Sequence, residues 1–405
     1  RLCHRAKVPV VPWGGKTGLV DGAFADNVIA LSLERMNKVI DVDVTGATVT
    51  VEAGCPLQAL CERVEQDGLF FPLDLGARGS ATIGGNISTN AGGNRVLRFG
   101  MMRDMVLGLE VVLADGTILS SLNHLIKNNA GYDLKQLFVG SEGTLGVVTR
   151  AVLRLRALPA SQNVAIAAVR QFSDLPRLLR RLETDLSGTL SAFEVMWEEF
   201  YRLVTTAPAK GHAPVPHGYP YYVLVESLGG DAAVDDERFR RALEEAFEDG
   251  EIVDAVVAKS QDERNRMWAL RDDVGQVARF APIFTFDVSL PIRHMETYIA
   301  KIGSDVHSQW PQARIFVFGH MGDGNLHVLL SVGDQSPQTR HKVELTIYQP
   351  LAACGGSISA EHGIGLQKRD YLPLSRSSEE ISLMGRIKKM LDPENILNPG
   401  KIIEL

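Results

Sequence analysis

The run FPLDLGARGSATIGGNISTNAGGNRVLRFG (71–100) constrains this chain more than any other stretch. Gly76, Gly79, Gly84, Gly85, Gly92 and Gly93 crowd a segment that is also rich in Ser, Thr and Asn. Such residues cannot fill a core, but their backbone can approach a large flat ligand and offer many N–H donors. The run lies between β-rich segments, which favours a ligand cradle over a plain turn-rich loop. A second cluster, KNNAGYDLKQLFVGSEGTLGVVT (127–149), has the same texture. A third, WGGKTG (13–18), looks like the second half of a Walker A loop, whose glycine amides hold phosphates. Val10 stands where that loop needs its first glycine, and no helical apolar period follows, so ATP is not expected there. A turn after the apolar strand VPVVP (8–12) can still form an N–H nest for another diphosphate.

At 405 residues the chain exceeds one ordinary core, so two domains are expected. A formal charge of −7 disfavours nucleic acid and anionic membrane surfaces as partners. No apolar run is long enough to span a bilayer, and no signal peptide is visible. The opening RLCHRAKVPVV reads as a helix end entering a strand, so an upstream segment is expected to be missing. Cys3, Cys55, Cys61 and Cys354 form no C-x-x-C pair and read as reduced thiols of a cytosolic-type compartment.

Up to residue 157, short β-rich runs alternate with glycine-rich turns around one amphipathic helix, PLQALCERVEQDG (56–68). RALPAS (156–161) marks a boundary, after which charged helices and strands follow in the order β-α-β-β-α-β. That order predicts a ferredoxin-like antiparallel sheet, repeated loosely from FTFDVSL to GSISA. Residues 203–220, rich in Pro and Gly, read as an exposed loop. The fold expected is α+β, with domains at 1–157 and 158–375 and a C-terminal helical segment, 376–405, that packs back on the first.

In RIFVFGHMGDGNLHVLLSV (314–332), two β-rich runs flank a turn, so His320 and His327 can lie beside each other across a hairpin, close enough to share a metal. Two histidines at a turn are weak evidence alone, but SAEHGIG (359–365) adds Glu361 and His362. Two imidazoles and a carboxylate with an open position form a catalytic divalent-metal set, with Zn²⁺ the first choice and Mn²⁺ another.

Taken together, PVVPWGGKTG, PLDLGARGSATIGGNISTNAGG, GYDLKQLFVGSEGTLGVVT, GHMGDGNLH, SAEHGIG and LDPENILNPGK resemble, in order and spacing, the vanillyl-alcohol oxidase/PCMH-type flavoproteins. The nearer likeness is to the branch of FAD-dependent D-2-hydroxyacid dehydrogenases. The resemblance implies a PCMH-type FAD-binding domain followed by the ferredoxin-like substrate (cap) domain. It implies that Gly14, Gly15, Lys16, Thr17 and Gly18 hold the FAD pyrophosphate, with Thr82, Gly84, Gly85, Asn86, Thr89 and Gly92 along the diphosphate and flavin. Gly143, Gly146 and Val148 would lie near the adenine, and Asn398 against the flavin ring. Trp13 and Lys16 stand where some relatives carry a flavin-linking histidine, so non-covalent FAD is implied. His320, His327 and Glu361 would be metal ligands, His362 the general base and Arg271, in MWALRDD, the carboxylate clamp. From sequence alone, Arg271 reads as a helix-surface arginine paired with Asp272 or Asp273. The partners implied are a small D-2-hydroxy acid, a separate electron acceptor and a second copy in a homodimer. The compartment implied is cytoplasmic, or mitochondrial in a eukaryote.

Relatives that take D-2-hydroxyglutarate carry threonine, lysine and asparagine where this chain has Gly275, Thr285 and Leu329. A second substrate carboxylate would then lack partners, which favours D-lactate or another aliphatic acid over D-2-hydroxyglutarate. An alkyl transferase on the same fold has no need of the chelate, and a non-catalytic subunit would not keep it.

Overall fold

Contacts within the computed structural model, which describes residues 1–405, divide the chain into two units. One comprises Arg1–Arg95, Phe99–Leu158 and Glu361–Leu405; the other comprises Val96–Arg98 and Pro159–Ala360.

In the first unit α1 (Leu2–Ala6) leads into β1 (Val10–Trp13), which pairs in parallel with β2 (Ile29–Ser32). β3 (Val39–Asp43) and β4 (Thr48–Glu52) follow, then α2 (Leu57–Glu65) and β5 (Leu69–Phe70). α2 buries Leu57, Leu60, Cys61 and Val64, the i, i+3, i+4, i+7 stripe expected of a helix with one apolar face. The glycine-rich run contains α3 (Ile83–Ser88) and the short α4 (Val96–Phe99), of which Val96–Arg98 are counted with the second unit, and α5 (Met102–Met105) comes after the run. β6 (Val106–Val112), β7 (Ile118–Ser121) and β8 (Val147–Arg154) complete an antiparallel sheet ordered β3-β4-β8-β6-β7, while β9 (Arg156–Ala157) pairs with β5. Val49, Val51, Ala151 and Leu153 alternate inward from β4 and β8 and are fully buried.

The second unit begins β10 (Ser161–Val169), α6 (Asp174–Asp185), β11 (Leu190–Trp197), α7 (Glu198–Thr205), β12 (Tyr221–Gly229), α8 (Ala232–Glu248) and β13 (Asp254–Val257). It continues with α9 (Gln261–Asp272), β14 (Phe284–Ser289), α10 (Ile292–Gln309), β15 (Arg314–His320), β16 (Asn325–Ser331) and α11 (Pro337–Cys354). One antiparallel sheet runs β13-β10-β12-β11-β15-β16-β14. Its first four strands have the ferredoxin-like order, fourth-first-third-second. The other half repeats it, with an antiparallel bridge from Ser289 to Ser357 in the fourth position. The halves join where β11 pairs with β15 over Glu194–Met196. On one face Ile166, Met196, Leu224, Phe318 and Leu329 pack against Phe200 and Tyr201 of α7 and Met267 and Leu270 of α9.

Two details differ from the sequence expectation. Residues 203–220 are not simply an exposed loop, because α7 runs through Thr205 and Val215 is fully buried. The stacked rings of Tyr201 and Tyr222 lie beneath the segment, and their hydroxyls donate to the carbonyls of Val215 (2.8 Å) and Pro216 (2.9 Å). Buried phenols need acceptors, and this backbone supplies them. The second difference lies at residue 361, where the chain rejoins the first unit fifteen residues before the texture change at 376. Leu366 N–H donates to Val20 O, and Val10 bridges in parallel to Leu397. α12 (Ser378–Leu391) starts with a capping box between Ser377 and Glu380. Lys388 in α12 is buried and donates to the carbonyls of Thr144 (2.9 Å) and Leu397 (2.8 Å), which fixes the helical return.

Candidate functional site

In the first unit the turn after β1 lies against the start of α3. A methyl on Gly14 would meet Thr82 Oγ1 at 2.5 Å and Gly85 Cα at 3.6 Å, and one on Gly15 would meet Ser80 O at 2.0 Å. Tertiary folding therefore brings two of the glycine clusters together with bare backbone between them. Lys16 has φ 54°, and its ammonium sits 4.5 Å over the Trp13 ring rather than over the turn. Thr17 and Gly18 are exposed. Thr89 caps the C-terminus of α3, with its hydroxyl donating to Gly85 O at 3.1 Å. Gly92, three residues further on, is buried.

Asn398 lies beyond α12, which ends at Leu391. Its amide donates to Gly22 O (3.0 Å) and Glu142 O (2.7 Å), which ties the C-terminal segment to the turn region and to the second glycine cluster. Thr82 Oγ1, Asn86 Nδ2 and Asn398 Oδ1 are all buried with no hydrogen-bond partner in the chain. Unpaired buried polar atoms are costly, and three of them on residues nominated for FAD fit a polar ligand with both donors and acceptors. Gly143 and Gly146 serve packing: a methyl on Gly143 would meet Pro12 at 3.0 Å, and one on Gly146 would meet Val111 at 2.5 Å. The Val148 side chain is part of the apolar core.

Sequence reasoning missed Glu142. Its carboxylate accepts from the N–H groups of Ile364 (2.7 Å) and Gly365 (2.9 Å), fastening the loop that carries Glu361 and His362 within this unit. Burial raises its pKa above the usual carboxylate range, against the two N–H groups and Lys368, which lower it. The only local signal was a carboxylate among glycines in VGSEGTLG.

In the second unit His320 ends β15 and His327 lies on β16. A short turn, Met321–Asp323 with Gly324 at φ 90°, connects them. They are diagonal neighbours rather than directly opposed, because His327 is in register with Phe318. Their rings are 5.3 Å apart at 78°, and each offers a ring nitrogen within 4.8 Å of the other's. Asp287 on β14 is opposite His327 and fully buried.

Arg271 is not a surface arginine. It is 7% exposed, and its Nε donates to Glu194 Oε2 at 2.8 Å, with Asp272 a weaker partner at 3.3 Å. Glu194, also missed, is completely buried in β11 opposite His320, whose Nδ1 lies 2.6 Å from its Oε1. Arg271 Nη2 sits 3.0 Å from His320 Nε2. A neutral ring with its proton on Nδ1 satisfies both contacts, donating to the carboxylate and accepting from the guanidinium. Burial alone would raise the Glu194 carboxyl, but His320 and Arg271 hold it at about 2. The donor set suits a divalent cation: paired imidazole nitrogens, one ring oriented by a carboxylate, as metal-ligating histidines require. The sequence hint was one glutamate in the apolar strand LSAFEVMW.

The geometry agrees with what the chain is similar to. Residues 158–402 match the family model "FAD linked oxidases, C-terminal domain", and residues 1–121 match "FAD binding domain". A D-2-hydroxyglutarate dehydrogenase of Xanthomonas citri pv. viticola is 41% identical over all of this chain and 86% of its own length. A probable mitochondrial D-2-hydroxyglutarate dehydrogenase of Oryza sativa subsp. indica is 40% identical over 99% of this chain and 72% of its own. Among solved structures, p-cresol methylhydroxylase with substrate bound superposes with a TM-score of 0.77 at 17% identity, covering all of this chain and 86% of that one. An alkyldihydroxyacetonephosphate synthase gives 0.76 at 18%, covering 98% and 72%. At such identities the structures establish the fold alone, that of the PCMH-type flavoproteins. Within that class the chain belongs to the FAD-linked oxidases, and it is an oxidoreductase. No helix is long and apolar enough to cross a membrane.

Proposed function

We propose that this chain oxidises a D-2-hydroxy acid to the 2-oxo acid, using non-covalent FAD and a divalent cation, Zn²⁺ or Mn²⁺. The observation that carries this reading is the pairing of His320 and His327 beside a buried Arg271. His320 and His327 would hold the cation with Glu361, which follows four residues after Ser357 is bonded to Ser289. When bound, FAD would supply a two-electron acceptor for the hydride at Cα, and the cation a Lewis acid that makes the weakly acidic hydroxyl easier to deprotonate. Arg271 grips the substrate carboxylate, a task suited to its planar fork of donors. His362 accepts the hydroxyl proton, since an imidazole can take it near neutral pH. Gly14–Gly18, Thr82, Gly84, Gly85, Asn86, Thr89, Gly92 and Asn398 would bind the FAD, with Gly143, Gly146 and Val148 nearer its adenine. A separate electron acceptor would reoxidise the flavin, and the active form is a homodimer in the cytoplasm or, in a eukaryote, the mitochondrion.

Two specific observations point to different acids. Leu329, two residues beyond His327 on the same strand face, is 1% exposed in the apolar cluster and is paired with Thr285. An apolar Leu329 at this position gives a second substrate carboxylate no partner, which favours an aliphatic side chain, as in D-lactate. The relatives' names favour D-2-hydroxyglutarate. Anaerobic bleaching of the bound flavin by D-lactate, D-2-hydroxyglutarate, glycolate and the L-enantiomers, with and without chelator, tests the reading. Bleaching by a D-acid that chelator abolishes is expected, and a flavin that stays oxidised with every acid would refute it. In His362→Asn, reduction should slow greatly while FAD stays bound.

A further inference from the structure

Glu194 stands at the seam of the two ferredoxin-like half-sheets, where β11 and β15 pair over only three residues. A pair of apolar side chains would close that seam without burying charge. Instead the carboxylate is divided between two partners, with Oε1 on His320 Nδ1 (2.6 Å) and Oε2 on Arg271 Nε (2.8 Å). Both partners act as donors. One lies on β15 and the other on α9, so no local sequence link holds them together.

We propose that Glu194 is a positioning residue shared by the cation site and the acid clamp. It fixes His320 as the Nδ1–H tautomer and holds Arg271 through Nε. The His320 lone pair then lies on Nε2, where it accepts from Arg271 Nη2 at 3.0 Å until that donor turns to the substrate carboxylate and the lone pair passes to the cation. This rests on the reading of His320 as a cation ligand and Arg271 as the carboxylate clamp. Glutamine isolates the role because its amide has one acceptor end and one donor end. Facing two donors, it can serve only one. If its NH₂ turns to His320, the ring must carry its proton on Nε2 and loses the ligating lone pair. If it turns to Arg271, two donors oppose each other and the guanidinium shifts.

Purified, FAD-loaded protein is titrated with Zn²⁺ against a fluorescent chelator, and steady-state kinetics with the D-acid that bleaches the flavin are measured at saturating Zn²⁺. Glu194→Gln should weaken Zn²⁺ about 10–100-fold, the usual effect of losing such a partner, and raise KM more than it lowers kcat. Glu194→Asp, which keeps both acceptors, should recover part of each. Arg271→Lys, which leaves the contact between Glu194 Oε1 and His320 Nδ1 in place, should raise KM with a smaller change in Zn²⁺ affinity than Glu194→Gln gives. A Glu194→Gln protein with unchanged Zn²⁺ affinity overturns the shared role, whether KM rises or not. Wild-type protein that binds neither Zn²⁺ nor Mn²⁺ removes the underlying reading as well, a result distinct from failure in the variant alone. Should Glu194→Gln not fold, ¹⁵N-histidine spectra of Zn²⁺-loaded wild type decide the matter. The His320 proton is expected on Nδ1, and finding it on Nε2 overturns the proposal.

Discussion

Replacing Gly15 with alanine should cost FAD affinity while sparing the fold. The added methyl carbon would lie 2.0 Å from Ser80 O, 2.8 Å from Ser80 C and 3.0 Å from Ala81 Cα, all backbone atoms. An ordinary carbon–oxygen contact is wider by more than about 1 Å, so the turn and the chain entering α3 must separate. Gly14 differs, because a methyl there meets chiefly the Thr82 hydroxyl, which can rotate away. Lys16–Gly18 are exposed, so the turn relieves the clash by swinging outward and opening the cradle rather than by disturbing the core. Overpacking of this kind costs about 1–3 kcal/mol, which corresponds to roughly 5- to 150-fold in affinity. Apoprotein titrated with FAD by fluorescence quenching measures this directly, with urea unfolding of the apoprotein as the check on the fold. Gly79→Ala is the control, since nothing lies within 4 Å of its added methyl, and it should bind FAD as wild type does. Wild-type affinity in Gly15→Ala, or an equal loss in Gly79→Ala, would refute the assignment of the cradle.

Glu142→Ala leaves the Ile364 and Gly365 N–H groups without their acceptor. It should lower stability by about 3 kcal/mol or more and slow flavin reduction with FAD retained; equal urea midpoints would count against the fastening role. Asp334 is held at about 2 by the Thr339 and Ser336 hydroxyls and the Ser336 N–H, down from 3.8. Its contribution is therefore complete above about pH 4 and lost as pH falls toward 2, so the stability gap between wild type and Asp334→Ala should close over that window. A gap that persists at pH 2 contradicts this. Burial, with Cys61 a further influence, pushes the Cys55 thiol up to about 11, and burial does the same for Cys61. Ellman's reagent at pH 8 should thus label Cys3 and Cys354 in the native protein and all four cysteines in urea. Early labelling of Cys55 or Cys61 would show that the first unit opens readily.

The sequence by itself determined the elements and most of the chemistry-bearing stretches. Glycine clusters reveal where backbone must come close to something, the leucine stripe of α6 (Leu175, Leu178, Leu179, Leu182) reveals its buried face, and GHMGDGNLH reveals a hairpin carrying two histidines. These signals are local, set by side-chain periodicity and turn chemistry within a few residues. Tertiary structure alone decided the rest. Glu194 meets Arg271 across 77 positions and His320 across 126, and Glu142 holds Ile364 across 222. It also turned Arg271 from the surface arginine its helix suggested into a buried partner, and drew 361–405 into the first unit. A carboxylate in an apolar strand announces that it needs a partner, because burying it alone is too costly. Which partner it finds depends on how distant strands come into register, and no local pattern encodes that.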